Sequence, residues 1–159
     1  MVDAPCGDFF WMQHVDLSGL AYYIGADIVP DMVAHNQTKY GSSNTMFMCL
    51  DVVSDSLPQV DLILCRDIFV HFKYEDIFTA INNIKKSKST YLCVTHFVDR
   101  TVNNNLSQTG SWRTINFQLP PFNFPEPFKV IYEQCTQGDG EYADKALAVW
   151  KVEDLPIKS

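Results

Sequence analysis

The stretch Asp3-Ala-Pro-Cys-Gly-Asp8, near the start of the chain, is followed by Tyr23-Ile-Gly-Ala-Asp27 at the end of an apolar run. Asp27 stands twenty positions after Gly7. A turn that contains glycine lets the backbone approach a ligand closely. An acidic residue about 20 positions further on, at the tip of the next strand, can accept hydrogen bonds from both ribose hydroxyls. The spacing therefore predicts a nucleoside-binding turn at the edge of an α/β sheet.

The turn differs from a diphosphate-binding loop. Gly7 is its only glycine, and Pro5 and Asp8 stand where such a loop presents bare amides to an anion. A carboxylate at Asp8 repels a diphosphate and attracts a cation. The residues favour a ligand with a ribose, no phosphate and a positively charged end, and S-adenosylmethionine meets that description. The alternative interpretation is that Asp3 and Asp8 are simple turn formers beside Gly7.

Strands and helices are predicted to alternate along the chain. Continuous apolar runs, typical of parallel strands covered on both faces, predict strands at Ala21–Asp27, Thr45–Asp51, Val60–Cys65, Thr90–Thr95, Lys129–Gln134 and Lys145–Val152. Helical spacing and end signals predict helices at Phe10–Val15, Pro30–Gly41 and Tyr74–Ser87. We find no linker or internal repeat, so we expect one α/β domain over residues 1–159.

The segment from Asn103 to Pro127 breaks this alternation, being rich in Asn, Gly, Pro and aromatic residues. A long irregular segment in a compact domain is usually a binding loop or a lid. Trp112, Arg113 and Asn116 are therefore candidate substrate-binding residues, with Arg113 suited to a carboxylate or to stacking on a ring. The alternative is that Trp112 and the phenylalanines merely pin the loop to the core.

Arg66, Asp67 and His71 follow the apolar stretch that ends at Cys65. This places them at the carboxyl edge of the predicted sheet, where open α/β folds bind their ligands. Asp67 and His71 are the candidate catalytic residues, because either can remove a proton from a hydroxyl acceptor. The alternative is a structural Arg–Asp ion pair beside a half-buried histidine.

With these pieces placed, the chain resembles the class I S-adenosylmethionine-dependent methyltransferases over nearly its whole length. The matching motifs are Asp3-Ala-Pro-Cys-Gly-Asp8, Ile24-Gly-Ala-Asp27-Ile28, Cys49-Leu-Asp51-Val52 and Asp61-Leu-Ile-Leu-Cys-Arg-Asp67. The chain is also similar to a bacterial-type subgroup that reads DAPCGDFxWM, CRDxxVH and PPFNFP. The resemblance implies a Rossmann-like sheet with strand order 3-2-1-4-5-7-6 and strand 7 antiparallel.

The resemblance also implies a set of cofactor contacts, with S-adenosylhomocysteine as product and a small-molecule or glycan-like acceptor. The implied cofactor-binding residues are Asp3, Pro5, Gly7, Asp8, Asp27, Ile28, Asp51, Val52 and Arg66. Besides Asp3 and Asp8, two others have a second interpretation, because Asp27 can cap the following helix and Asp51 can begin a turn. Alternative functions are a cofactor-binding module without activity and, less expected, a nicotinamide-dependent oxidoreductase, whose loop has further glycines.

Only Met1 and Val2 precede Asp3, so the first strand is predicted to be very short. Strands usually have about five or six residues. This departure from the family pattern suggests a truncated form with a weak central seam. We therefore expect either marginal stability or pairing with a second copy of the chain as a homodimer.

The charge and composition exclude several classes of binding partner. A net charge of −7 argues against nucleic acid, whose binding requires clustered Lys and Arg. No apolar stretch reaches the roughly 18 residues of a membrane span, and no secretion signal is present, so we expect a cytoplasmic protein without a membrane partner. The five cysteines form no CxxC pair and the histidines are scattered, which favours free thiols and no metal site.

Overall fold

The structure, a computed structural model, describes residues 1–156 and contains a seven-stranded sheet. The strands are β1 (Val2–Asp3), β2 (Tyr23–Asp27), β3 (Thr45–Cys49), β4 (Leu62–Cys65), β5 (Tyr91–Phe97), β6 (Lys129–Tyr132) and β7 (Lys145–Lys151). Their order is β3-β2-β1-β4-β5-β7-β6. β7 is antiparallel to both of its neighbours, whereas the other pairs are parallel. The predicted fold, strand order and antiparallel strand are confirmed.

Two α-helices connect the parallel strands of the described chain. α1 (Pro30–Tyr40) begins with proline in its first turn, and α2 (Tyr74–Lys86) buries Ile77, Ile81 and Ile84 at helical spacing. The predicted short helix at Phe10–Val15 is one 3₁₀ turn, Met12–His14, whose Met12 is buried. Its single buried side chain explains its shortness, because packing supplies most of the stability of a helix in water.

Two strands end earlier than predicted, because turn-forming hydrogen bonds or a positive φ interrupt the extended backbone. β3 ends at Cys49 rather than Asp51, because the Asp51 carboxylate accepts hydrogen bonds from the backbone N–H of Val53 and the hydroxyl of Ser54. β6 ends at Tyr132 rather than Gln134, where the backbone has a φ of +52° that interrupts an extended strand.

β1 is short, as predicted, but its hydrogen bonding reaches beyond its two residues. Val2 pairs with Ile24 of β2 and with Ile63 of β4. Before the strand, the Ile24 N–H donates to the Met1 carbonyl at 3.0 Å. After it, the Ala4 and Cys6 N–H groups donate to carbonyls of β4 and β2 at 2.9 and 2.8 Å. The central seam is therefore bonded to β2 from Met1 to Cys6 and to β4 from Val2 to Ala4.

The irregular segment forms part of the core. Phe117, Phe122 and Phe124 are only 0%, 1% and 4% exposed and pack against one another and, through Phe117 and Phe124, against Trp150 of β7. The interpretation that the phenylalanines pin the loop therefore holds for this part of the segment. No helix among residues 1–156 has both the length and the apolar character needed to cross a bilayer.

His96 of β5 lies fully buried beneath this aromatic layer. Its Nδ1 accepts a hydrogen bond from the Phe117 N–H at 3.2 Å, so the ring proton is on Nε2. Nε2 has no hydrogen-bond partner among the described residues. Burial lowers the pKa of His96 to about 4, and Asp144 and Glu126 oppose this shift only in part.

This environment predicts a loss of stability in mild acid. Between pH 6.5 and 4 the unfolded chain protonates this histidine and the folded chain does not, so the free energy of unfolding falls as the pH falls. His96→Asn keeps an acceptor for the Phe117 N–H and removes the titration. We expect the destabilisation that it causes at pH 7 to shrink by about 2–3 kcal/mol at pH 4.5. Urea denaturation of both chains at pH 7 and 4.5 measures this change. If the two chains differed by the same free energy of unfolding at both pH values, His96 would not be the titrating group.

Candidate functional site

A cavity of about 580 Å³ lies at the carboxyl ends of β1 to β4. Its walls come from the loops after these four strands, together with one residue of α2 and one of the irregular segment. The lining residues are Ala4, Pro5, Asp27, Ile28, Val29, Leu50, Asp51, Val52, Val53, Asp67, Ile68, His71, Phe72, Asp76 and Thr109. Predicted cofactor-binding residues at the ends of β1, β2 and β3 therefore line the same cavity as the two candidate catalytic residues after β4.

The lining of this cavity is apolar and acidic. Asp27, Asp51, Asp67 and Asp76 contribute carboxylates, and neither lysine nor arginine is among the lining residues. Charges of one sign in a cleft repel like-charged ligands and concentrate oppositely charged ones. The cavity therefore suits a largely apolar ligand that carries positive charge, and it disfavours a phosphate.

Asp27 connects the first turn to the second strand. Its carboxylate accepts hydrogen bonds from the N–H groups of Gly7, at 3.2 Å, and Val29, at 3.1 Å. Gly7 has a φ of +54°, a conformation that glycine adopts without strain. Each carboxylate oxygen keeps a further lone pair for a ligand in the cavity. Asp27 thus has a structural contact before the α1 helix and also lines the cavity.

The other acidic residues of the first turn lie outside the cavity lining. Asp3 is buried below the turn and accepts a 2.6 Å hydrogen bond from the Tyr23 hydroxyl, and burial raises its pKa to about 6. Asp8 is exposed and accepts a hydrogen bond from the Phe10 N–H at 3.0 Å, as a turn former does. Their roles in ligand binding stay predictions.

Three predicted cofactor-binding residues after β2 and β3 line the larger cavity. Asp51 caps its own turn and also lines the cavity. Ile28 and Val52 line the cavity as well, and they differ in exposure, at 65% and 2%. Ile28 therefore offers an accessible apolar surface beside Asp27, whereas Val52 closes the wall from the core side.

Asp67 belongs to an ionic cluster in which acids and bases alternate. Lys145 Nζ lies 2.8 Å from Asp67 Oδ2 and 3.2 Å from Glu133 Oε2. Arg66 approaches the same two carboxylates, at 3.3 and 2.7 Å. The predicted Arg66–Asp67 ion pair is thus present, within a larger arrangement of two cations and two anions. Arg66 itself is not among the lining residues of the cavity.

Glu133 and Lys145 were not predicted as site residues. Lys145 is the first residue of β7 and pairs with Phe97, the last residue of β5. Because β7 is antiparallel, its start lies at the edge where the parallel strands end. The antiparallel direction of β7 was the only feature of the sequence reading that could have predicted Lys145 as a site residue. In the structure it brings Lys145 beside Asp67, although 78 positions separate them.

His71 has a defined tautomer. Its Nδ1 lies 2.9 Å from the carbonyl oxygen of Ser111, which can only accept a hydrogen bond. The proton is therefore on Nδ1, and Nε2 keeps a free lone pair. A neutral imidazole held in this way is suited to accept a proton.

A second cavity, of about 340 Å³, adjoins the first one. Asp67 and His71 line both cavities. The remaining lining residues are Phe97, Trp112, Cys135, Gln137, Tyr142 and Lys145. Within residues 1–156, no group of three or more His, Cys, Asp or Glu side chains is arranged to hold a metal ion.

Of the three candidate substrate-binding residues, Trp112 alone lines this second cavity. Arg113 is buried and donates hydrogen bonds to the carbonyl oxygens of Phe69, Val70, Phe72 and Asn104. Asn116 is also buried and donates to two carbonyl oxygens of the loop after β5. Both side chains stabilise the irregular segment, which is the physical reason they do not face a ligand.

Comparison with solved structures identifies the fold. The N-methyltransferase NodS from Bradyrhizobium japonicum WM9 matches with a TM-score of 0.61 over 94% of this chain and 83% of its own, at 14% identity. The fold is that of the class I methyltransferases. Human N-acetylserotonin methyltransferase, in complex with SAM, matches with a TM-score of 0.63 over 95% of this chain and 46% of its own, at 12% identity.

Magnesium protoporphyrin IX methyltransferase from Synechocystis PCC 6803, with bound SAH, matches with a TM-score of 0.50 and 22% identity. The match covers 63% of this chain and 47% of that enzyme, so the chain spans about half of its length. At identities of 12–22%, these likenesses concern the fold. No protein-family model and no curated protein sequence matches the chain.

The ionic cluster predicts unequal effects of two lysine substitutions on β7. Lys145→Met leaves the carboxylates of Asp67 and Glu133 with one cation instead of two, and we expect the free energy of unfolding to fall by about 1–3 kcal/mol. The control is Lys151→Met, because the ion pair that Lys151 forms within residues 1–156, at 3.8 Å from Glu153, is exposed. Its effect should stay within about 0.5 kcal/mol. Urea denaturation compares them.

A double-mutant cycle tests whether Asp67 is the partner through which Lys145 stabilises the fold. Asp67 has a φ of +56°, which asparagine tolerates, so Asp67→Asn removes the charge without new backbone strain. In that background Lys145→Met should cost less, by at least about 0.5 kcal/mol. Additive effects would show that Lys145 and Asp67 are not coupled.

Proposed function

We propose that the chain binds S-adenosylmethionine in the larger cavity and transfers its methyl group to a small molecule held in the second cavity. The observation that carries the proposal is the acidic and apolar lining without lysine or arginine, at the carboxyl edge of a class I methyltransferase fold. The ligand's adenosine is uncharged and its sulfonium is positive. A nicotinamide dinucleotide carries a diphosphate, which the carboxylates of Asp27, Asp51 and Asp76 would repel.

The residues present fit this cofactor in chemical type. Asp27 would hold the ribose hydroxyls with its remaining lone pairs, and Ile28, Val52 and Asp51 would bound the adenine. Asp3, Pro5, Gly7 and Asp8 would shape the turn beside it, and Arg66 would act through Asp67. When bound, S-adenosylmethionine would supply a methyl group attached to a sulfonium, which is a good leaving group.

The proton-accepting role falls to His71 rather than Asp67. Asp67 is paired with Lys145 at 2.8 Å and with Arg66 at 3.3 Å, so both cations already engage its carboxylate. His71 has a free Nε2 lone pair and lies between the two cavities. Methyl transfer otherwise depends on alignment in a site from which water is excluded.

A ligand panel tests the proposal. Calorimetry with S-adenosylmethionine, S-adenosylhomocysteine and NAD should show binding of the first two and not of the third. Adenosine should bind more tightly than adenosine 5′-monophosphate, and the difference should shrink as salt screens the carboxylates. Preferential binding of NAD would favour an oxidoreductase instead, and cofactor binding without turnover of any acceptor would favour an inactive binding module.

The ribose assignment has its own test. Asp27→Ala should weaken binding of S-adenosylhomocysteine by about 1.5–3 kcal/mol, as loss of a hydrogen bond to a charged group does. The matched control is Asp31→Ala, which removes an exposed carboxylate from the first turn of α1 and should leave the affinity unchanged. Circular dichroism verifies the fold of both variants. Equal affinities of the two variants would refute the role of Asp27.

A further inference from the structure

The second cavity has an aromatic wall on one side. Trp112 and Tyr142 meet edge to face, with ring centroids 5.1 Å apart, and Phe97 meets each of them at 6.2 Å. Rings fixed at steep angles to one another hold their orientation through packing. Trp112 is nevertheless 45% exposed, so this indole keeps surface available for a ligand.

The polar side of the same cavity has little uncompensated charge. Asp67 and Lys145 neutralise each other, and Glu133 and Arg66 complete the balance. A ligand with a strong positive or negative charge therefore finds no free partner of opposite sign in this cluster. Gln137 adds a neutral amide to the lining. These features favour an uncharged molecule.

His71 determines which polar group the molecule must present. The hydrogen bond to Ser111 places a proton on Nδ1, so Nε2 of the neutral imidazole can only accept. Its ligand partner must therefore be a donor such as a hydroxyl. A phenolic hydroxyl, with a pKa of about 10, is close enough in acidity to an imidazole for proton transfer in the transition state. A sugar hydroxyl is far less acidic.

We infer that the second cavity binds an uncharged phenol with one or two rings, the ring against Trp112 and the hydroxyl toward Nε2 of His71. The volume of about 340 Å³ limits the size of this acceptor. The inference rests on the proposed function and narrows its acceptor. Trp112 is then a binding residue for the acceptor, and His71 is the catalytic base.

The transfer balances without any further reactant. The phenolic oxygen forms a bond to the methyl carbon, and the carbon–sulfur bond breaks with its electron pair staying on sulfur. The hydroxyl proton moves to Nε2 of His71. A phenol, a sulfonium and a neutral imidazole thus become an aryl methyl ether, a thioether and an imidazolium, which releases its proton to solvent.

Binding of 7-hydroxycoumarin to the full chain tests the inference. With saturating S-adenosylhomocysteine, we expect it to quench tryptophan fluorescence and to bind about tenfold more tightly than coumarin, which lacks the hydroxyl. Trp112→Ala should weaken binding at least tenfold, whereas Trp112→Phe should retain binding with reduced quenching. Tyr22→Ala, which removes an exposed aromatic ring outside both cavities, serves as the control and should bind as the unaltered chain does.

The catalytic part is tested with His71→Asn, whose amide can still donate to the Ser111 carbonyl. This variant should lose the preference for 7-hydroxycoumarin over coumarin. With S-adenosylmethionine it should form 7-methoxycoumarin at least 10²-fold more slowly, and its affinity for S-adenosylhomocysteine should stay within about twofold of the unaltered chain.

The outcomes separate this inference from the proposed function. Absence of 7-hydroxycoumarin binding to a chain that binds S-adenosylhomocysteine overturns the phenol assignment alone. Equal binding to Trp112→Ala, or tighter binding of methyl glucoside than of 7-hydroxycoumarin, overturns it as well. Failure of S-adenosylhomocysteine itself to bind overturns the proposed function and is measured in a separate titration.

Discussion

Hydrogen bonding of β1 to both of its neighbours is the constraint on which the rest of the structure depends. Val2 is fully buried and pairs with β2 on one side and β4 on the other. Because all three strands are parallel, their carboxyl ends meet at one edge, and the loops that follow them converge there. The Gly7 N–H then donates to the Asp27 carboxylate, which closes the first turn against the second strand. The larger cavity is the space that these loops leave between them.

The two cavities differ in electrostatics although they share a wall. In the larger one, the carboxylates of Asp27, Asp51 and Asp76 have no lysine or arginine beside them in the lining, which favours a cationic ligand. In the smaller one, the charges of Asp67 and Lys145 cancel at 2.8 Å. His71 stands between an environment that attracts positive charge and one that is nearly neutral. The same edge of the sheet therefore has one space suited to a sulfonium and another suited to an uncharged acceptor.

The long segment after β5 holds this arrangement in place. Its aromatic residues fill the core against Trp150, and the Arg113 guanidinium binds the carbonyl oxygens of Phe69, Val70 and Phe72. These carbonyls belong to the loop that carries His71, and Ser111 orients the His71 ring itself. If the buried guanidinium lost these hydrogen bonds, several buried polar groups would have no partner, so breaking the contacts costs free energy. The segment thereby couples the position of the proposed base to the packing of the core.

The sequence by itself predicted most of the strands, the helices α1 and α2 and the edge at which a site forms, and its resemblance to the class I methyltransferases implied the strand order. Apolar runs and turn residues report on their immediate surroundings, and the spacing from Gly7 predicted Asp27 at the tip of the second strand, where it ends β2 and lines the larger cavity. Only the tertiary structure decided the contact of Asp67 with Lys145, the burial of Arg113 and the tautomer of His71. These depend on residues 78, 44 and 40 positions away in the chain, respectively Lys145, Phe69 and Ser111. A local pattern has no information about such pairs, because they form only when the antiparallel β7 and the folded loop bring distant charges and carbonyls to the same edge.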